Sequence, residues 1–154
     1  MEQKNIFMRF ATLGPIGHLP ASATVASFFG LLLVLLFSFL QISDFLYGFI
    51  CLATFFAGFS IIGRVLPFFK KRDPAEIVFD ELIGCLFVFW CVPISFFSIA
   101  VGFLLFRFFD VVKPFGLKKT ELLYGSLGVI MDDVLAGILA NVLLRLILVY
   151  WWQV

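Results

Sequence analysis

Leu82-Ile83-Gly84-Cys85-Leu86-Phe87-Val88-Phe89-Trp90-Cys91-Val92-Pro93-Ile94-Ser95-Phe96-Phe97-Ser98-Ile99-Ala100-Val101-Gly102-Phe103-Leu104-Leu105-Phe106 carries no charge over 25 residues. Read by hydropathy alone it is one membrane span, since ~20 apolar residues cross a ~30 Å hydrocarbon core. Acids bracket it, with Asp80-Glu81 just before and Asp110 just after. One straight helix would hold Asp80 and Asp110 roughly 45 Å apart at ~1.5 Å per residue, on opposite sides of a membrane. Pro93 and Ser95 offer a turn in mid-run. The run therefore predicts a helical hairpin that returns Asp110 to the side of Asp80. Each arm is short for a hydrocarbon core, so the arms should tilt or be enclosed by longer helices.

The whole chain fits a membrane setting. Of its 154 residues 63% are hydrophobic, and the mean hydropathy is +1.14. Soluble domains are about 45–50% apolar. The length suits a single domain over residues 1–154. A net charge of +1 is too small to imply nucleic acid as a partner. Cys51, Cys85 and Cys91 lie in apolar runs without metal-ligand spacing and read as small buried hydrophobes. His18 is the only histidine, too few for phosphohistidine chemistry. The first apolar run is long enough to span and is followed by no small-x-small cleavage site, so no cleavable signal peptide is expected.

Before the hairpin, Met1 to Pro20 is a mildly basic lead-in ending in a turn-rich Gly14–Pro20. Phe28 to Leu40 reads as a first span, opened by Ala21–Ser27. Ser22, Thr24 and Ser27 in that opening turn either cap the helix or, with its backbone N–H groups, face a phosphate. Gln41–Asp44 is a polar turn, and Phe45 to Leu66 is a second span. Lys70-Lys71-Arg72 follows. The positive-inside rule puts it in the cytoplasm with Lys4 and Arg9, and it can also hold anionic lipid headgroups. Asp73-Pro74-Ala75-Glu76 reads as a helix start, with Asp73 as N-cap, Pro74 at N1 and Glu76 at N3. Asp80 and Gly84 then share a helix face, which leaves room for a close neighbour.

After the hairpin, Lys113-Pro114 ends the helix and Leu117–Gly128 is an interfacial segment carrying Lys118, Lys119, Glu121 and Tyr124. A last span starts near Asp132-Asp133. On it Asp133, Ala136, Gly137, Ala140 and Asn141 form a small, polar stripe suited to close helix contact. Arg145 should snorkel or pair without a catalytic role, and Trp151-Trp152 marks the far interface. The expected fold is all-α: a polytopic membrane bundle of two full N-terminal spans, a Pro-turned hairpin and a C-terminal span.

In that fold Asp80, Glu81, Asp110, Asp132 and Asp133 converge at the cytoplasmic ends of their helices. Unneutralised carboxylates at such depth are costly. Hard oxygen ligands suit Mg²⁺, which completes its shell with water and substrate phosphate. Arg107 and Lys113 flank Asp110 by one helical turn and suit phosphate contact. The permitted chemistry is metal-assisted phosphoryl transfer to water, with a free carboxylate taking the proton.

Ile77-Val78-Phe79-Asp80-Glu81-Leu82-Ile83-Gly84 resembles the "IVxDExxG" block of the phosphatidylglycerophosphatase A family. Phe106-Arg107-Phe108-Phe109-Asp110-Val111-Val112-Lys113-Pro114 resembles its "FRxxDxxKP" block, and Gly128–Gly137 its "GxxIMxDDxxAG" block. The family's first block, "LPxAPGTxGS", is matched by Leu19–Ser27 with its proline and both glycines replaced by Ser22, Ala23 and Ala26. The resemblance implies a Mg²⁺-dependent lipid phosphatase that converts phosphatidylglycerophosphate to phosphatidylglycerol at the cytoplasmic face of a bacterial inner membrane. Its site would use Asp80, Asp110 and Asp133 in catalysis, Asp80, Glu81, Asp132 and Asp133 on the metal, and Arg107, Lys113, Thr24 and Ser27 on the phosphate. The competing reading is a small ion carrier or channel component, which requires acids at several depths. A nucleotide-lipid phosphatidyltransferase would need a long Asp-Gly…Ala-Arg…Gly…Asp…Asp pattern that is absent here.

Overall fold

A computed structural model describes residues 2–71, 73–114 and 123–152. Among these there is no strand, and six α-helices form the protein: α1 Glu2–Ala11, α2 Ser22–Phe39, α3 Asp44–Val65, α4 Phe79–Val88, α5 Phe96–Val112 and α6 Ser126–Trp152. Helices α2, α3 and α6 are long and apolar enough to cross a membrane. Their outward faces carry exposed Phe28, Leu32, Phe49, Phe56, Val142 and Leu146. In water such a surface would aggregate; against lipid chains it is the expected one.

The predicted hairpin is present as α4 and α5. Cys91 turns the chain at φ 53, and Ser95 caps α5 in a reciprocal capping box with Ser98. The turn is tied down at the end of the bundle where α3 begins. Trp90 Nε1 donates to the Asp44 carbonyl at 3.1 Å, and the Tyr47 hydroxyl donates to the Leu86 carbonyl at 2.8 Å. From α6, Asn141 Nδ2 donates to the Val88 and Trp90 carbonyls at 2.7 and 2.9 Å. Arg145 Nη2 donates to the Trp90 carbonyl at 2.7 Å, the pairing role expected of it. These donors satisfy helix-end carbonyls that lipid could not.

Helix α4 packs most extensively on α6, then on α2. The small-residue stripe permits this. A Cβ on Gly84 would lie 2.7 Å from the Asp133 carbonyl oxygen, and one on Gly137 would collide with the Gly84 carbonyl. The core is completed by buried Val34, Leu86, Phe89, Phe106 and Leu144 around this crossing.

Four local expectations need correction. The lead-in is helical as α1, whose Ala11 is fully buried against α3. Asp73–Glu76 does not start a helix. Residues 77 and 78 remain outside α4 because Ile77 and Val78 are buried and the Val78 N–H is held by the Ala11 carbonyl at 2.9 Å; tertiary burial overrides the local capping signal. The last helix starts at Ser126, so Asp133 lies seven residues in, about 10 Å along the axis. Finally, α2 has no side-chain cap, its N-cap being Ala21 at φ 58, while Ser22 Oγ donates to the Ala75 carbonyl at 3.1 Å. Residues 115–122 of the interfacial segment, Arg72 and the side chains of Trp151 and Trp152 lie outside the described residues.

Candidate active site

All five acids lie at the end of the bundle opposite the hairpin turn. Asp80 and Glu81 occupy the first turn of α4. Asp110 is in the last turn of α5, and Asp133 faces them from α6 across the Gly84 crossing. One carboxylate oxygen each from Asp80, Glu81 and Asp133 falls within a 4.8 Å group. Asp80 and Asp133 are each 4% exposed, so water cannot dissipate their charge. Two unit charges ~4 Å apart repel by about 4 kcal/mol at an effective dielectric of ~20. Three such pairs would exceed what one helix crossing supplies, so the group needs protons or a cation.

Two further atoms point the same way. Asp80 Oδ1 and Glu81 Oε2 are buried without a hydrogen-bond partner. Buried polar atoms are nearly always satisfied, and an orphaned carboxylate oxygen facing other carboxylates has the chemistry of a hard-cation ligand.

The cations predicted to meet phosphate rest on neighbouring acids. Arg107 Nη1 donates to Asp110 Oδ2 at 2.6 Å and to Ser27 Oγ at 3.4 Å. Ser27 itself is fully buried and donates to the Ala23 carbonyl at 2.8 Å. Lys113, in a left-handed C-cap at φ 49, ion-pairs through Nζ with Asp132 Oδ2. Asp132 thus sits beside the carboxylate group, one residue round the helix from Asp133, and is paired with a lysine. Thr24 lies on the exposed side of α2, outside this set. The gathering of acids at one end, with Arg and Lys interleaved, differs from the several depths that an ion path requires.

A neighbouring cavity of about 490 Å³, not legible in the sequence, lies between the residues following α3 (Leu66, Phe69, Lys70, Lys71 and Asp73) and the start of α6. Asp132 and Asp73 line it, with Lys70, Lys71, Leu66 and Phe69. Lys70 and Lys71 were legible as a basic cluster; that they share a cavity with Asp132 depends on chain segments some 60 residues apart.

The comparisons with known proteins agree with one another on chemistry. The family model described as Phosphatidylglycerophosphatase A matches residues 9–148. The Haemophilus influenzae Phosphatidylglycerophosphatase A is 34% identical over 165 residues, covering 98% of this chain and 99% of that protein. The Escherichia coli Phosphatidylglycerophosphatase A is 30% identical over 82 residues, covering 52% of this chain and 48% of that protein. A Bacteroides thetaiotaomicron protein with the provisional description phosphatidylinositol-3-phosphatase is 41% identical over 76 residues, 47% of this chain and 48% of that protein. No solved structure matches the chain.

Proposed function

The chain belongs to the phosphatidylglycerophosphatase A family, and on that premise we propose that it hydrolyses phosphatidylglycerophosphate to phosphatidylglycerol and inorganic phosphate, using Mg²⁺, at the cytoplasmic face of a bacterial inner membrane. The observation that carries the reading is the buried group of Asp80, Glu81 and Asp133 with two unpartnered oxygens. That donor set fits Mg²⁺: oxygen only, anionic, and few enough to leave room for water and a phosphate. Asp132 adjoins it as a further ligand once Lys113 releases it.

Bound there, the ion supplies positive charge to a phosphate and acidifies a water. The chain does the rest. Arg107 is held one turn from Asp110 with its guanidinium aimed between Asp110 and Ser27, so an arriving phosphate can take over one arm of its fork. Asp110, partly relieved of Arg107, then has a carboxylate free to accept the proton of the attacking water. Lys113 carries a second positive charge into the same space from the end of α5. Ser27 offers its hydroxyl beside Arg107. The basic segment around Lys70 and the N-terminal helix support the cytoplasmic orientation by the positive-inside rule.

The test is inorganic phosphate release from phosphatidylglycerophosphate in detergent micelles. Release should require Mg²⁺, stop with EDTA and be abolished by Asp133→Asn. Release that survives EDTA removes the metal from the reading. The Bacteroides relative favours one alternative substrate. Phosphatidylinositol 3-phosphate cleaved with the higher kcat/KM would move the assignment to that lipid. Ion flux into liposomes without phosphate release would instead favour the carrier.

A further inference from the structure

We propose that the cavity beside Asp132 is the binding site for the bridging phosphodiester of the lipid substrate, with Lys70 and Lys71 as its anion contacts. The inference rests on the phosphatase reading and adds where the rest of the headgroup lies. A substrate whose terminal phosphate is cleaved presents a second, uncleaved anion a short glycerol away. The acid group can accept only the first. Next to it, through Asp132, opens a cavity of about 490 Å³, within the range of small-ligand sites.

The lining has two characters. Lys70 and Lys71 supply cationic groups beside Asp73, and Leu66 and Phe69 supply apolar surface; with Asp132 paired to Lys113, the lysines outnumber the remaining acid by one charge. An anionic diester carrying glycerol carbons matches both. Lysine suits this role, since a diester needs compensating charge and its two free oxygens are not held for chemistry. Asp132 lines the floor and is ion-paired with Lys113. Lys113 thereby stands at the passage between the cavity and the carboxylates, able to meet the phosphate that crosses it. Both lysines leave the end of α3 just after the short helical turn Leu66–Phe68. That end of the span is where a headgroup arrives from the lipid surface.

The experiment uses the full chain in neutral detergent micelles, which removes bulk surface charge. Phosphatidylglycerophosphate hydrolysis is the reporter. Two inhibitors probe the two anion sites: phosphatidylglycerol, which has only the diester, and inorganic phosphate, which mimics only the terminal group. The Lys70→Gln/Lys71→Gln variant should lose about tenfold or more in kcat/KM, chiefly through KM, as expected for contacts to a charged group. Inhibition by phosphatidylglycerol should weaken by a similar factor, and inhibition by phosphate should stay as in the parent. The Lys70→Arg/Lys71→Arg variant should keep parental values. The proposal is overturned if kcat falls with KM unchanged, if both inhibition constants rise together, or if phosphatidylglycerol inhibits the Gln variant as well as the parent. Absence of hydrolysis by the unsubstituted chain would refute the phosphatase reading itself, a separate outcome.

Discussion

Replacing Gly84 by Ala tests the link between helix packing and the site. The added Cβ would lie 2.7 Å from the Asp133 carbonyl oxygen and 2.9 Å from the Asp133 Cβ. Ordinary contact begins near 3.4 Å, and the nearest obstacle is backbone, which cannot rotate away. The α4 and α6 axes must therefore part by about 0.7 Å, because a close-packed interior has no slack to absorb one methyl group. Overpacking of this kind costs about 1–3 kcal/mol. At ~2–4 °C per kcal/mol for a chain of this size, that is a Tm lower by roughly 2–12 °C. The effect on chemistry should be larger in proportion. Asp80 and Asp133 sit on opposite sides of this crossing, and misplacing reacting groups by ~1 Å can cost ~100-fold in rate. Phosphate release and thermal unfolding in detergent, measured on the same preparation, give both numbers. Gly63→Ala is the comparison, since its Cβ meets only the Ser126 side chain, the hydroxyl at 3.3 Å and the Cβ at 3.8 Å. A Gly84→Ala protein with parental Tm and parental kcat would refute the close crossing and, with it, the account of how the acids are held.

Four other outcomes follow from the same geometry. Mg²⁺ at 100 times its Kd should stabilise the protein by about 2.7 kcal/mol, and a thermal melt should show Asp80→Asn and Asp133→Asn losing that increment. The same two variants, without metal, should melt above the metal-free parent because one repelling charge is gone. Asn141→Leu removes the donor to the Val88 and Trp90 carbonyls; it should lower Tm by the equivalent of about 1–2 kcal/mol while folded molecules keep near-parental phosphate release. In a chain stripped of its native cysteines, Lys71→Cys and Gln41→Cys should react with an impermeant thiol reagent from opposite sides of the membrane, and reaction from the same side would contradict the hairpin of α2 and α3.

Much of this arrangement could be read without coordinates. Pro93 and Ser95 in an uncharged run forced the choice between one span and a hairpin, and the distance between Asp80 and Asp110 decided it. The small stripe on α6 and Gly84 on α4 each marked a face for close helix contact, because close approach needs small side chains wherever it occurs; that the two faces meet is visible only in the fold. What failed was local. Asp73-Pro74 carries a good capping signal, yet the chain makes only a turn there, with the Ile77 N–H on the Pro74 carbonyl, and burial of Ile77 and Val78 delays the helix until Phe79. Asp132-Asp133 is the conspicuous mark for the start of the last span, whereas the actual start, Ser126 after Gly125 at φ 69, carries a weaker one. The division of the five acids into a group of three, an Asp110–Arg107 pair and an Asp132–Lys113 pair depends on side-chain direction across three helices. Spacing along one chain does not encode that.

The Trp90 carbonyl accepts from both Asn141 and Arg145, and both donors belong to α6, which leaves the ribosome after the hairpin. A nascent chain that has delivered only its first 112 residues has the hairpin sequence without the groups that close its turn. Those carbonyls must then be sheltered by water or by the insertion machinery until α6 arrives. Assembly of the acidic end is thereby tied to synthesis of α6, and a chain cut before it should hold no working phosphatase in the membrane.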